Sequence, residues 1–167
     1  GSSIAHAVAA YLPEVKVTGF DLDQEVLATA TRIKLCDLVT DSPEQAVAKA
    51  DLIIFCVPVG AMGKAAELIA PFVADDAIIS DVGSSKASVV EAMLAAFSAR
   101  FHRQIIPAHP VAGTEHSGPL AGFASLFQNR WCIVTPLPDS AVNQVERLVD
   151  FWQKLGANVE IMSPEHH

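Results

Sequence analysis

A histidine placed where an apolar run gives way to a polar one is a candidate proton acceptor, and the chain has such a junction. Ile105-Ile106-Pro107-Ala108 leads into His109-Pro110-Val111-Ala112-Gly113-Thr114-Glu115-His116-Ser117-Gly118-Pro119. A neutral imidazole near pH 7 can take a proton from a hydroxyl. A histidine after a strand can equally be a hydrogen-bonded structural residue, but the crowding of Thr114, Glu115, His116 and Ser117 behind it favours chemistry. A second polar cluster, Asp81-Val82-Gly83-Ser84-Ser85-Lys86, also ends an apolar run. Ser84 can cap a helix starting near Lys86. No S-x-x-K pairing accompanies it, which argues against a covalent serine. Lys86 reads as serving helix and loop packing.

A third group points to a dinucleotide. In a nucleotide-binding βαβ unit, a glycine fingerprint G-x-G-x-x-G joins the first strand to the first helix, and an acidic residue about 20 positions on binds the ribose. Here Gly1-Ser2-Ser3-Ile4-Ala5 opens a helical segment and Asp21 closes the next strand at that distance. On spacing alone, Gly1 is either the third glycine of such a fingerprint or a residue foreign to the protein. Asp21 could accept both hydroxyls of an adenosine ribose and would repel a 2′-phosphate, which favours NAD over NADP. Its other possible job is capping the helix near Gln24, for which Asp23 is better placed. Val57 and Pro58 end one apolar run, and Val82 and Gly83 end another; strand ends of this kind form the ligand edge of an open α/β sheet. Gly60-Ala61-Met62-Gly63-Lys64-Ala65 has its glycines too close together, and no Ser or Thr after the lysine, for a nucleoside-triphosphate loop.

The elements that must position these residues follow from periodicity. Residues 15–20, 51–57, 77–82 and 105–108 are short, nearly continuous apolar runs, the pattern of strands buried on both faces. Residues 2–12, 24–33, 43–49, 61–73 and 86–100 have helical period, and Ser42-Pro43 marks one helix start. A weaker strand at 38–40, another at 131–135, a long amphipathic helix at 141–155 and a last strand at 158–162 complete the set, with Gly156 where a C-cap glycine would sit. This alternation predicts an α/β doubly wound, mostly parallel sheet of Rossmann type. The chain opens on a helix, so the sheet is expected to lack its first strand.

Composition narrows the partners. The chain has 167 residues, 51% of them hydrophobic, enough for one well-buried core, and residues 1–167 are read as one dinucleotide-binding domain. Eleven basic against 19 acidic residues give a net charge of −8, so nucleic acid is not an expected partner. Cys36, Cys56 and Cys132 form no C-x-x-C pair; Cys56 and Cys132 are expected simply to pack. No metal site is expected, and His6, His102 and His116 are read as surface residues. No apolar run approaches the length of a membrane span and no signal-peptide order is present, which predicts a cytoplasmic protein with no membrane partner.

Four stretches together resemble the prephenate and arogenate dehydrogenase family. They are Gly1 to Ala5, Asp81 to Lys86, His109 to Gly118, and the tail Met162-Ser163-Pro164-Glu165-His166-His167. Their order favours Gly1 as the fingerprint's last glycine, with Ser2 beside it at the dinucleotide. The resemblance implies NAD-dependent oxidative decarboxylation of prephenate or arogenate in tyrosine biosynthesis. His109 matches that family's catalytic histidine and Ser84 the serine beside it, while Thr114 and Glu115 match positions that line or gate the substrate pocket. It also implies that a helical C-terminal domain, carrying the substrate-carboxylate arginine and the homodimer contact, is absent from this chain. A β-hydroxyacid dehydrogenase or pyrroline-carboxylate reductase would share the cofactor plan but not His109 to Gly118. An NAD-binding regulatory domain without turnover would need neither His109 nor Ser84.

Overall fold

The structure is a computed structural model that describes residues 1–163. Residues 164–167 of the tail motif lie outside the described residues. The short apolar runs form strands β1 (Thr18–Phe20), β2 (Leu38–Thr40), β3 (Leu52–Phe55), β4 (Ile78–Asp81), β5 (Ala108–Pro110), β6 (Trp131–Val134) and β7 (Asn158–Ile161). The segments of helical period form α1 (Ser2–Tyr11), α2 (Gln24–Arg32), α3 (Pro43–Val47), α4 (Met62–Ile69), α5 (Lys86–Ala96) and α6 (Val142–Lys154). Local chemistry sets several boundaries. The Asp23 carboxylate accepts from the Glu25 and Val26 amides at the start of α2, and the Ser42 hydroxyl accepts from Gln45 at the start of α3. After α6 the Gly156 amide donates to Gln153 and the Ala157 amide to Trp152, a paired closure that requires the positive φ of 92° at Gly156.

Strand β1 pairs in parallel with β2, and β3 with β4. These are two separate two-stranded sheets, and a single parallel bridge between Ile79 and Ile105 leads on from β4. Beyond it β5 runs antiparallel to β6, which is parallel to β7. Their sheet is therefore mixed, where unbroken parallel pairing would need another crossover helix between β5 and β6. Pro107 accounts for the split of the expected strand at 105–108, because it has no N–H to give to a ladder.

Side-chain alternation divides the interior. Ile53, Phe55 and Ile79 face one apolar cluster with Met62 and Ala66 of α4 and Val89 and Met93 of α5. Ile78, Ile106, Cys132 and Val134 face the other, with Ala7 and Val8 of α1 and Leu148 and Trp152 of α6. Helices thus cover both faces, the doubly wound arrangement.

Three expectations change. Cys56 is exposed because β3 stops at Phe55, although Cys132 is fully buried. His102 is half-buried, and its Nε2 bridges the Leu94 and Phe97 carbonyls at the end of α5 at 3.2 and 3.0 Å. Residues 15–17 stay outside β1, held instead by Asp37, which accepts from the Val17 amide at 2.9 Å and pairs with Lys16 at 3.0 Å.

Candidate active site at the strand ends

The start of α1 and the loops that follow β3 and β4 lie side by side. At the start of α1, Gly1 occupies the N-cap with no side-chain cap and no acidic residue in the first turn, so the helix presents uncapped amides of positive dipole. A Cβ at Gly1 would stand 3.5 Å from Cys56 Cβ, which sets the end of β3, with Val57 and Pro58 after it, against that helix start. One at Gly83 would stand 3.6 Å from a Val59 methyl, so the Val82-Gly83 loop after β4 borders the same edge.

Asp21, next after β1, lends one oxygen to the Asp23 amide at 2.9 Å. The capping role falls to Asp23.

The segment 118–123 also reaches this corner, a placement no spacing in the sequence announces. Ser2 Oγ donates to the Gly118 carbonyl at 3.0 Å, and the Phe123 amide donates to Ser3 Oγ at 3.3 Å. Gly122 approaches so closely that a Cβ there would lie 2.5 Å from the Ser2 carbonyl carbon and 2.6 Å from the Ser3 nitrogen.

His109 occupies the middle of β5 rather than the position after a strand. Its neighbours Ala108 and Pro110 are buried, while His109 is half-buried and registers with Ile133 on the opposite, more open face, which it shares with exposed Trp131. Behind it lies a feature that the residue pattern did not reveal. The Asp81 carboxylate, fully buried, accepts from Lys86 Nζ at 2.6 Å, the Gly83 amide at 2.7 Å and the Ala108 amide at 3.2 Å. Lys86, 3% exposed, also donates to the Ala108 carbonyl at 2.7 Å. Burial pulls the Lys86 pKa down, against the pull of the Asp81 charge that raises it. Breaking a buried pair of this kind by removing one partner typically costs about 3–5 kcal/mol.

Ser84 is exposed on the loop between β4 and α5, and the N-cap position belongs to Ser85, which makes no side-chain cap bond. The capping alternative for Ser84 therefore falls away. Thr114 and Glu115 are exposed, and the Thr114 hydroxyl folds onto its own turn, donating to the His116 carbonyl at 3.0 Å. Among the described residues no group of His, Cys, Asp or Glu is arranged to hold a metal, and no helix is long and apolar enough to cross a membrane.

Fold and edge together define a nucleotide-binding domain of the Rossmann class. The family model described as prephenate dehydrogenase, nucleotide-binding domain, matches residues 4–161, and the chain belongs to that family. It is 42% identical over 167 residues to the cyclohexadienyl dehydrogenase of Zymomonas mobilis, covering 100% of this chain and 56% of that protein. To the prephenate dehydrogenase of Bacillus subtilis it is 31% identical over 168 residues, covering 100% of this chain and 45% of the relative. The chain thus spans about half the length of these relatives. Among solved structures, the prephenate dehydrogenase of Aquifex aeolicus in complex with hydroxyphenyl propionate and NAD+ superposes with a TM-score of 0.89 at 25% identity, over 99% of this chain and 57% of that one.

Proposed function

We propose that residues 1–167 are the dinucleotide-binding domain of an NAD-dependent enzyme of tyrosine biosynthesis that oxidatively decarboxylates prephenate, arogenate or both. Gly1 and Ser2 at the α1 N-terminus would hold the pyrophosphate, where uncapped amides and the dipole favour an anion. Asp21 would take the adenosine ribose, favouring NAD over NADP, with Val57, Pro58, Val82 and Gly83 along the rest of the cofactor. When bound, NAD supplies the acceptor for the hydride that leaves the ring carbon bearing the hydroxyl.

His109 accepts the proton of that hydroxyl while the C–O bond becomes a carbonyl. Loss of the ring carboxylate as carbon dioxide then makes the ring aromatic, and the phenol oxygen is reprotonated. General-base assistance of this kind contributes roughly 10² to 10⁴ in rate. Ser84 orients the same hydroxyl, and Thr114 and Glu115 border the substrate. The length the relatives have beyond this chain would supply the remaining substrate contacts and a homodimer interface. Three unpaired thiols among the described residues fit a reducing, cytoplasmic setting.

One observation carries the proposal. The two oxygens of Asp81 bind the Gly83 and Ala108 amides, so the residues that follow them, Ser84 after β4 and His109 within β5, are tethered to one buried carboxylate. The test is NAD reduction by the full polypeptide that carries this chain, offered prephenate and arogenate in turn. Turnover of at least one is expected; a protein that binds NAD and reduces it with neither would contradict the proposal.

A further inference from the structure

We propose that Asp81 and Lys86 are positioning residues for this reaction, a buried clamp that fixes the strand carrying His109 against the Gly83-Ser84 loop. The inference rests on the reading of His109 as the base. Its ground is where the strand ladder fails. Backbone pairing between β4 and the following strand ends with the Ile106 amide donating to the Ile79 carbonyl at 2.8 Å. Past that point β5 turns toward β6, and the Ala108 amide and carbonyl face β4 with no backbone partner there. Asp81 accepts from that amide at 3.2 Å, and Lys86 Nζ donates to that carbonyl at 2.7 Å. Two side chains thereby replace one rung of the ladder, at the residue immediately before His109.

The other side of β5 is held conventionally. The Thr135 amide donates to the Pro107 carbonyl at 2.9 Å and the Val111 amide to the Trp131 carbonyl at 2.8 Å. Alternate backbone groups of a strand point to opposite neighbours, so β6 grips the register of His109 while the ion pair sets its distance from β4. Asp81 also accepts from the Gly83 amide at 2.7 Å, so the same carboxylate sets the loop that carries Ser84. A buried ion pair is a poor device for stability alone, because apolar residues of similar size often serve as well or better. The convergence of its bonds on the neighbours of Ser84 and His109 gives it a different use. Reacting groups misplaced by about 1 Å can lose 10²-fold in rate.

The test compares Lys86→Met, the double variant Asp81→Asn/Lys86→Met and the reference His109→Asn in the full polypeptide. Measurements are Tm, the KM for NAD and kcat. Lys86→Met strands a buried carboxylate and should lower both Tm and kcat. The double variant is uncharged and should regain most of the lost Tm, yet keep kcat depressed roughly ten- to a hundredfold with the KM for NAD within about threefold of the parent. Recovery of kcat together with Tm would overturn the proposal, as would Tm, KM and kcat all remaining impaired together in the double variant. If His109→Asn retains kcat, the reading of the base fails. Loss of kcat in His109→Asn beside a fully active double variant refutes the clamp alone.

Discussion

Cys132 and Cys56 carry the same thiol into opposite surroundings. Burial pushes the Cys132 pKa from its ordinary 9.0 up to about 12, whereas Cys56 is exposed beside the start of α1. Alkylation near pH 8, followed by mass spectrometry of the peptides, should therefore modify Cys56 readily and leave Cys132 protected until the chain unfolds. Saturating NAD should slow the Cys56 reaction; an unchanged rate would count against a dinucleotide at that corner. A raised thiol pKa means the folded state holds a proton that the unfolded state releases above about pH 9. The stabilisation from Cys132 is complete below that pH and is lost as pH climbs toward 12, so Cys132→Ala should flatten the decline of Tm over that alkaline window. Asp21→Ser should narrow the preference for NAD over NADP, measured as the ratio of kcat/KM for the two coenzymes; a ratio that did not move would contradict the ribose role. The capping of α2 by Asp23 was legible in the sequence because capping has a fixed spacing. The exposure of Cys56 was not, since where an apolar strand ends is decided by its partners.

Segments 118–123 and α1 meet so closely that Gly122 is a packing necessity rather than a hinge. Gly122→Ala should destabilise the fold by about 1–3 kcal/mol by denaturant titration. It should also raise the KM for NAD, because the displaced atoms belong to Ser2 and Ser3. An unaltered Tm and KM would show that the contact is slack. The helices and strands themselves were largely readable, since period 3.6, Ser42-Pro43 and Gly156 each carry their own physical signature. The antiparallel turn of β5 was hidden, because strand direction leaves no mark in a run of three residues. Lys86 was legible only as a packing residue; its partnership with Asp81 and Ala108 joins positions that are distant in the chain.

At the scale of the molecule, two apolar clusters divide the interior between them. Trp152, fully buried against Phe127 and Phe151, is central to one cluster, and Trp152→Ala should cost about 3–5 kcal/mol by denaturant titration. The fold class could be read from alternation alone, while the proposed activity rests on one imidazole, that of His109 in β5. The most direct measurement is kcat of His109→Asn in the full polypeptide, taken beside the affinity for NAD by calorimetry. A fall of at least about a hundredfold in kcat with nearly unchanged NAD affinity is predicted. Parental kcat in that variant would contradict the assignment of His109 as the base.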